Sequence, residues 1–410
     1  MTTLGEAVTA YPFPAQCPFQ LPPELGRLRR EAPVSPVRLA NGASAYLVTS
    51  YRHVRMVLTD ERFSRRPVRA RAAGEQASAR KPGAAAFDFG LSIADPADHA
   101  RWRRHTGQVF HLRQAEGLRT GIGRLVDDLL DDMAAAPGPV DLMDRFAFAL
   151  PLNVLGMLFD VPEDLRPGFD AWAQAMRAGG ASMAAFGTAM AGLHEAAVAL
   201  VRRRRAEPGP DPLSHLIRIA AGDGSGLSDD DLVSTVLLLT VAGYETVATQ
   251  LGNGLLALFQ HPAELDRVRS GEVAVDAAVE EILRYAQAST GFAGMMYATT
   301  DVPLDDVVVP AGAAVFVSMD SAGRDELRLP DPERFDVSRG AASHHLTFGA
   351  GAHFCLGAPL ARVELQEGLS RLLARFDLTL VPAAHDVTIT GNRFHRLPAE
   401  LPVLLVNRES

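Results

Sequence analysis

One cysteine near the end of the chain lies in a glycine-rich segment, Phe348-Gly-Ala-Gly-Ala-His-Phe-Cys-Leu-Gly357. A thiolate that binds a metal ion must stay ionised, so it needs backbone N–H donors near the sulfur and small neighbours. Three glycines supply that freedom: Gly349, Gly351 and Gly357. Apolar residues recur at helical spacing from Ala358 to Ala374, which places Cys355 before a helix N-terminus, where an anion is favoured. The segment predicts a metal-ligating thiolate, and the alternative is a buried structural cysteine in a turn.

A second segment, Ala242-Gly-Tyr-Glu-Thr246, interrupts a long apolar stretch that predicts a helix from Leu227 to Phe259. Two small residues let a flat ligand approach the backbone, and an acid beside a hydroxyl offers a path for protons. The alternative is a helix-packing notch in which the threonine hydroxyl bonds back to its own helix.

These two strings resemble signatures of the cytochrome P450 family. The first has the order Phe-x-x-Gly-x-His-x-Cys-x-Gly of the family's haem-binding loop, and the second resembles its oxygen-activating helix. The resemblance implies haem b with Cys355 as the axial thiolate, Thr246 as the group that holds dioxygen and Glu245 as a proton relay. It also implies further haem neighbours in both strings: Phe348, Gly349, Gly357, Ala242 and Gly243.

Haem carries two propionates that need cationic or hydrogen-bond-donating partners. His99 and Arg103 stand one helical turn apart, and His353 lies two residues before the cysteine. The resemblance implies that these three residues bind the propionates. Relatives commonly carry another propionate-binding arginine ahead of an Ala-Thr-x-Asp string, which is Ala298-Thr-Thr-Asp301 here, and that arginine position is Met296. One usual anchor is therefore missing.

A further motif, Glu281-Ile-Leu-Arg284, places a carboxylate and a guanidinium on one helical face. Taken alone, the motif predicts a surface ion pair. The resemblance instead implies a buried pair beneath the haem loop, joined by Arg334. These three residues would be structural rather than catalytic.

The elements that must position these groups are mainly helical. Apolar stripes separated by Pro, Gly and Asp predict helices over 98–110, 114–135, 142–158, 163–178, 181–206, 211–221 and 228–260. A hairpin with Asn41-Gly42 at its turn is predicted, and strand patterns return at 302–317 and 378–406. The chain is thus predicted to be mainly α with small peripheral β-sheets, the cytochrome P450 fold, as a single domain over residues 1–410.

Composition restricts the class of protein and its location. The formal net charge of -9 argues against a general nucleic-acid binder, and two cysteines in 410 residues do not make a disulfide scaffold. The N-terminal residues lack the basic start and apolar run of a signal peptide. No stretch is expected to reach the roughly 18 apolar residues of a membrane span. We therefore expect a cytoplasmic protein with neither membrane nor nucleic acid as partner.

The resemblance implies reductive activation of dioxygen and hydroxylation of a small natural product of secondary metabolism, such as a polyketide, terpenoid or peptide. One alternative is oxidative coupling of an aromatic substrate such as a cyclic dipeptide, because the turn at 392–396 resembles that of relatives that join aromatic rings. The other is a haem-thiolate protein that binds a ligand or senses a gas without turnover. The acid and alcohol pair at 245 and 246 weighs against this second alternative.

Candidate substrate contacts follow from family position: Phe87, Phe89, Leu238, Leu239, Phe292, Phe394, His395 and Arg396. Core packing is the alternative for the apolar members. The resemblance also implies that ferredoxin and ferredoxin reductase supply electrons. Basic residues predict a docking patch for an acidic ferredoxin, with a solvated charged face as the alternative: Arg101, Arg104, His105, Arg113 and Arg362.

Overall fold

The computed structural model of the protein describes residues 9–13, 19–66, 96–178, 183–222, 227–288, 295–381, 383–391 and 395–408. The chain separates into two compact units. The first unit draws on residues 1–78, 261–355 and 393–397, and the second on residues 79–260, 356–392 and 398–410. The expectation of one domain over residues 1–410 stays a prediction.

Helices dominate the described residues, which confirms the predicted fold class. The α-helices are α1 (Pro23–Glu31), α2 (Tyr51–Thr59), α3 (Pro96–Val109), α4 (Leu112–Ala134), α5 (Ala149–Leu158), α6 (Arg166–Arg177), α7 (Met183–Ala206), α8 (Pro212–Gly222), α9 (Asp229–Gln260), α10 (Pro262–Arg269), α11 (Val275–Tyr285), α12 (Met319–Ala322) and α13 (Ala358–Arg375). A π-helical turn covers Met143–Ala147, and 3-10 turns cover Glu163–Leu165, Val337–Ser343 and Gly351–His353.

The strands are short and form small sheets. They are β1 (Thr9–Tyr11), β2 (Val34–Leu39), β3 (Ser44–Val48), β4 (Phe63–Ser64), β5 (Val140–Asp141), β6 (Met295–Ala298), β7 (Val302–Leu304), β8 (Val307–Val309), β9 (Ala314–Val317), β10 (Phe376–Leu380), β11 (Ile389–Gly391), β12 (Arg396–Pro398) and β13 (Pro402–Asn407). The first unit holds a six-stranded sheet in the order β1-β2-β3-β9-β6-β4 and the β7-β8 hairpin. The second unit holds a three-stranded sheet in the order β10-β13-β5.

The predicted Asn-Gly hairpin is the antiparallel pair β2 and β3, in which Val37 lies opposite Ala45. Gly42 has a φ of +81°, which an L side chain rarely adopts, and the carbonyl of Leu39 accepts a hydrogen bond from its N–H. The turn residues therefore set the register, and this register buries Val37 and Leu47 in the core of the first unit.

Helix α9 organises the core of the second unit. It begins at a reciprocal cap, in which the Ser228 N–H donates to Asp231 Oδ2 at 3.0 Å and the Asp231 N–H donates to Ser228 Oγ at 3.1 Å. Its buried residues join an apolar cluster that includes Trp102, Trp172 and Tyr244. A 32-residue helix with so much buried surface is stabilised mainly by this packing.

Two stretches of the described helices, Ala184–Ala206 and Asp229–Gln260, are long and apolar enough to span a membrane by length and composition alone. The expectation that no stretch would reach this length is therefore wrong. The expectation was based on unbroken runs of apolar residues. These two helices reach a high mean hydropathy although alanine, glycine and threonine interrupt their larger apolar residues. The most apolar window of α9 is 50% buried, which is typical of a core helix, and that of α7 is 28% buried.

Helix α13 packs on both α4 and α9 within the second unit. Arg371 of α13 pairs with Asp127 of α4 at 2.6 Å, and Arg119 of α4 pairs with Glu367 of α13 at 3.0 Å. A Cβ at Gly368 would lie 3.2 Å from Leu150 Cδ2 of α5 and 3.5 Å from Leu251 Cδ2 of α9. The first distance is tight and the second is an ordinary packing contact, so small size at this position matters mainly toward α5.

Glu364 lies on the buried side of α13. Its side chain is 4% exposed, and its Oε2 has no hydrogen-bond partner among the described residues. Burial raises the pKa of the Glu364 carboxyl from an ordinary 4.5 to about 8. Glu364 is therefore a neutral acid at pH 7, because the charged form would lose its hydration without compensation.

We expect Glu364→Gln to flatten the pH dependence of stability between about pH 5 and pH 9. The folded state holds a proton that the unfolded state releases above its lower pKa, so this stabilisation is complete below about pH 5 and is lost as the pH rises through about 8. The variant should exceed the wild type in free energy of unfolding at pH 9 by on the order of 5 kcal/mol. Urea denaturation at several pH values measures this difference.

The matched control is Glu400→Gln, which changes an exposed carboxylate of the same unit. It should leave the pH profile of the wild type in place. Parallel profiles for Glu364→Gln and the wild type would show that Glu364 is not protonated in the fold.

Candidate functional site

The loop from Phe348 to Cys355 is closed by a backbone hydrogen bond, in which the Cys355 N–H donates to the Phe348 carbonyl at 2.9 Å. Gly349 and Gly351 have φ angles of +72° and +69°, so the loop uses the conformational freedom of both glycines. The Cys355 thiol is exposed and is not part of a disulfide. The loop therefore holds an accessible sulfur at its end, and its backbone is fixed.

The same loop packs closely on the end of α2. A Cβ at Gly351 would lie 2.5 Å from the Leu58 carbonyl oxygen, so no side chain fits there without movement of backbone. Leu346 and Ala350 pack in the apolar cluster that also contains Leu58 and Phe63. The position of the cysteine loop is thus set by the core of the first unit.

Three residues after the cysteine, α13 begins at Ala358 with Gly357 as its N-cap. No side chain caps this end, and Pro359 has no N–H, so the N–H groups of Ala358 and Leu360 are the ones that an anion could use. Gly357 has a φ of -83°, which other residues also adopt, so its backbone does not require glycine. His353 is half-buried in the 3-10 turn before the cysteine, and Phe354 is 41% exposed.

The second predicted segment lies in the middle of α9. Ala242 is exposed, and Glu245 and Thr246 are half-buried. The Thr246 hydroxyl donates a hydrogen bond to the Ala242 carbonyl one turn earlier. The acid and the hydroxyl are therefore adjacent on a side of the helix that is not filled by core residues. The back-bonded threonine of the alternative interpretation is also present.

The opposite side of the same segment belongs to the core. Tyr244 is 1% exposed, and its ring lies 5.2 Å from that of Trp172 and 5.6 Å from that of Phe148. A Cβ at Gly243 would lie 3.5 Å from Leu155 Cδ2, an ordinary packing contact. Gly243 thus faces α5, as the packing-notch alternative predicts, while Ala242 supplies the small exposed surface.

The predicted propionate partners lie on α3 and in the cysteine loop. His99 is buried, with its ring 5.9 Å from that of Trp102, and Arg103 is half-buried one turn later. Trp102 Nε1 donates to Thr235 Oγ1 at 3.0 Å, which ties α3 to α9 within the second unit. His353 belongs to the first unit. The structure therefore keeps His99 and Arg103 on neighbouring turns of one helix, as the spacing predicts.

Glu281 and Arg284 form a fully buried bidentate pair in α11. Arg284 Nε donates to Glu281 Oε2 and Arg284 Nη2 donates to Glu281 Oε1, each at 2.7 Å. Arg284 Nη1 donates in addition to the carbonyls of Gly323 at 2.9 Å and Pro332 at 2.8 Å. All polar atoms of a buried pair need such partners, because its desolvation is costly.

The prediction that the Arg334 side chain is the third member of this group is wrong. Its side chain is 61% exposed and lies 3.9 Å from Asp336, because Arg334 is in a turn at the surface. Only its backbone carbonyl joins the group, accepting a hydrogen bond from Arg284 at 3.1 Å. Arg339 takes the place of Arg334, with an 11% exposed side chain whose Nε lies 3.5 Å from Glu281 Oε1.

Only some residues of the predicted basic patch could form an exposed charged surface. Arg101 lies 3.6 Å from Asp98 and 3.7 Å from Asp231, so its charge is compensated locally. His105 is fully buried, and its Nδ1 lies 2.8 Å from the Arg101 carbonyl. Exposed or half-buried cations occupy the other three positions: Arg104, Arg113 and Arg362.

Several predicted substrate contacts lie outside the described residues: Phe87, Phe89, Phe292 and Phe394. Leu238 and Leu239 are half-buried on α9, and both pack against the apolar cluster of the second unit. His395 and Arg396 are half-buried at β12. The turn on which the aromatic-coupling alternative rests is therefore described only at these last two residues.

Among the ionisable residues that the sequence analysis did not predict are Glu364, which is buried, and Arg339, whose side chain is 11% exposed. Glu364 had a recognisable signal, because it stands four residues after Leu360 and four before Gly368, on the apolar stripe of α13. Arg339 had none, since its burial arises from the packing of a 3-10 turn on α11.

The available groups suit haem. An exposed thiol precedes an uncapped helix N-terminus, and a thiolate at that place suits iron. An exposed alanine on a long buried helix offers a flat surface, and His99 with Arg103 offers donors for carboxylates. No group of three His, Cys, Asp or Glu residues among the described residues suits a bare metal ion. The donor set thus fits a cofactor with one protein ligand to its iron.

Comparison with known proteins agrees with this donor set. The family model for cytochrome P450 matches residues 181–403. Cytochrome P450 monooxygenase PikC of Streptomyces venezuelae is 37% identical over 402 residues, covering 98% of this chain and 92% of that protein. 6-Deoxyerythronolide B hydroxylase of Saccharopolyspora erythraea is 37% identical over 388 residues, covering 92% and 94%. The solved structure of the mixed-function P450 MycG with mycinamicin V is 35% identical with a TM-score of 0.87, covering 97% and 100%.

We expect Gly351→Ala to destabilise the protein and lower its haem content, because the new Cβ would meet the Leu58 carbonyl. Gly312→Ala is the matched control, since Gly312 has a φ of +83° but open space around its Cβ position. The control should lose about 1 kcal/mol of stability from its backbone conformation alone. Gly351→Ala should lose roughly 2 kcal/mol more. Equal losses in urea denaturation would show that the loop does not depend on this contact.

Proposed function

Because the chain belongs to the cytochrome P450 family, whose members hold haem through a cysteine thiolate, we propose that it inserts one oxygen atom of dioxygen into a small natural product. The observation that carries the proposal is the exposed Cys355 thiol at the end of a loop fixed by Gly349 and Gly351. Thiolate-bound haem supplies the reductive activation of dioxygen. The remaining chemistry falls to the residues of this chain.

Cys355 is the proposed axial ligand. The N–H groups at the start of α13, which begins three residues after the cysteine, would favour its ionised form. The other proposed haem neighbours in this loop precede or follow the cysteine in sequence: Phe348, Gly349 and Gly357. His353, His99 and Arg103 are the proposed donors to the propionates.

Glu245 and Thr246 are the proposed proton-handling pair, next to the small surface of Ala242. The Thr246 hydroxyl uses its hydrogen to bond the Ala242 carbonyl, so its oxygen lone pairs face outward as acceptors. This bond also fixes the side-chain rotamer. The Glu245 carboxyl is half-buried beside it and can deliver a proton toward the threonine oxygen.

The substrate class follows from the relatives and from the apolar residues of α9. One relative is a hydroxylase of 6-deoxyerythronolide B, and another was solved with mycinamicin V. Leu238 and Leu239 are half-buried about two turns before the proton-handling pair and would exclude water from the substrate. His395 and Arg396 would add polar contacts at β12. We propose a natural product of this kind as the substrate.

The defining experiment is turnover under isotopically labelled dioxygen. Polyketide, terpenoid and peptide natural products are ranked by the shift they cause in the Soret band, and the best are incubated with NADPH, ferredoxin and ferredoxin reductase. We expect mass spectrometry to find one labelled oxygen atom in the product. A coupled product without new oxygen would contradict hydroxylation, and a Soret shift without any product would favour ligand binding.

Thr246→Ala should separate electron consumption from product formation. Without the hydroxyl, protons are no longer delivered at a fixed position. The amount of product per NADPH should therefore fall about tenfold or more while hydrogen peroxide release rises. Thr249→Ala is the matched control, since Thr249 is fully buried on the same helix and its Oγ1 has no hydrogen-bond partner among the described residues. Equal coupling in the two variants would remove Thr246 from the proton path.

An acidic ferredoxin with its reductase is the proposed electron donor, and the cytoplasm is the proposed location of the enzyme. The support comes from the start of α4 and the end of α3. Arg104 and Arg113 are exposed there, and Leu112 is 63% exposed. A large apolar side chain flanked by cations suits a transient interface that is steered by charge.

Charge reversal in the double variant Arg104→Glu, Arg113→Glu should raise the KM for ferredoxin by about tenfold at low salt, with a smaller effect at high salt. Reduction by dithionite should be unaffected, because it needs no docking. Arg27→Glu, at an exposed arginine of α1, is the matched control and should keep the wild-type KM. A double variant with the wild-type KM would place the docking surface elsewhere.

A further inference from the structure

A buried histidine lies in the stretch that leads into the cysteine loop. The side chain of His345 is 4% exposed, and each of its ring nitrogens has a polar contact. The Thr347 N–H donates a hydrogen bond to Nδ1 at 3.2 Å, and Nε2 lies 3.2 Å from Glu280 Oε2 of α11. All three residues belong to the first unit. The imidazole therefore connects α11 to the backbone at the start of the loop.

The two contacts assign the tautomer of His345. Nδ1 accepts a hydrogen bond from a backbone N–H, so this nitrogen carries no hydrogen. The ring is then neutral with its hydrogen on Nε2, which donates to the Glu280 carboxylate. A rigid ring thus presents an acceptor to the backbone on one side and a donor to a carboxylate on the other. The carboxylate fixes the orientation of the ring.

The amide that His345 binds is followed directly by the backbone that closes the cysteine loop. Thr347 is held a second time, because its Oγ1 donates to the Leu283 carbonyl of α11 at 2.8 Å. The next carbonyl along the chain is that of Phe348, which accepts the hydrogen bond from the Cys355 N–H at 2.9 Å. Hydrogen bonds and one short piece of chain therefore lead from α11 to the cysteine.

Apolar packing around this stretch does not replace that connection. Leu346, between the two polar residues, is 5% exposed and packs in the core of the first unit. The His345 ring lies 6.0 Å from the ring of Phe348. Such contacts hold the stretch against the core but are not directional, whereas the hydrogen bond to the Thr347 N–H sets the orientation of a peptide group. His345 therefore orients the backbone that enters the loop.

We propose that His345 is a positioning residue for the thiolate. Its acceptor nitrogen fixes the Thr347 amide, and through it the Phe348 carbonyl to which the Cys355 N–H is bonded. The inference rests on the haem of the proposed function and adds to it a residue that does not touch the cofactor. A sulfur held in this way keeps one position relative to the iron, so the strength of the iron–sulfur bond depends on the histidine.

Two amide variants separate the roles of the two ring nitrogens. Asparagine Oδ1 and histidine Nδ1 are both bonded to Cγ, so His345→Asn keeps an acceptor for the Thr347 N–H and loses the donor to Glu280. His345→Gln keeps a donor for Glu280 and loses that acceptor. His345→Phe keeps a ring with neither group. The matched control is His344→Asn, because His344 is exposed and asparagine tolerates its φ of +40°.

Two readouts report on the thiolate of the holoenzyme without turnover. The iron–sulfur stretching band in the resonance Raman spectrum of the ferric enzyme reports the bond itself, and transfer of haem to apomyoglobin reports haem retention. A second control, Val309→Ala, removes buried methyl groups from β8 of the same unit without removing a polar group. It shows the effect of reduced stability alone.

We expect His345→Phe and His345→Gln to shift the iron–sulfur band and to lose haem about tenfold faster than the wild type. His345→Asn should keep the band at the wild-type position, because its acceptor still binds the Thr347 N–H. Both controls should keep the wild-type band, although Val309→Ala unfolds at a lower urea concentration.

A wild-type band in His345→Phe would overturn the proposal. A band that moves as far in His345→Asn as in His345→Gln would also contradict it, because the acceptor would then not position the loop. If His345→Phe fails to fold, the comparison of the two amide variants decides. The wild-type spectrum separates this failure from that of the proposed function. A normal haem-thiolate spectrum with an unmoved band removes only the role of His345.

Discussion

The close approach of Gly351 to the Leu58 carbonyl is the constraint on which the chemistry of this protein depends. With 2.5 Å between a Cβ position and a backbone oxygen, only a residue without a side chain fits. The contact fixes where the loop packs on the end of α2, and the hydrogen bond from Cys355 to Phe348 then fixes where the loop ends. A thiolate can serve as a stable iron ligand only if its position does not vary, so rigid backbone at this loop comes before all later steps.

The loop is supported from beneath by a buried polar network. Thr347 Oγ1 donates to the Leu283 carbonyl at 2.8 Å, next to the buried Glu281 and Arg284 in α11. Removing one partner of such a pair would leave an uncompensated charge and cost about 3–5 kcal/mol, whereas an exposed pair costs little. The network thus connects segments that lie far apart in the sequence. Its hydrogen bonds are directional, so they fix the relative positions of these segments more specifically than apolar contacts would.

Local patterns were enough to predict the helices, the hairpin and the motifs, because each depends on residues near one another in the sequence. Predicted helices such as 211–221 and 228–260 agree closely with Pro212–Gly222 and Asp229–Gln260. The predictions failed where tertiary packing determines which side chain is buried. Arg334 and Arg339 are both arginines near α11, and only packing of a 3-10 turn places the second beside Glu281.

All of the proposed chemistry depends on Cys355 as the ligand of a haem iron. The most direct test is the carbon monoxide difference spectrum of the reduced, purified protein beside that of Cys355→Ala. We predict a Soret band shifted far to the red in the wild type, which is the signature of thiolate ligation, and its loss in the variant. Absence of haem from the wild type, or a histidine-type spectrum that the substitution leaves unchanged, would contradict the account.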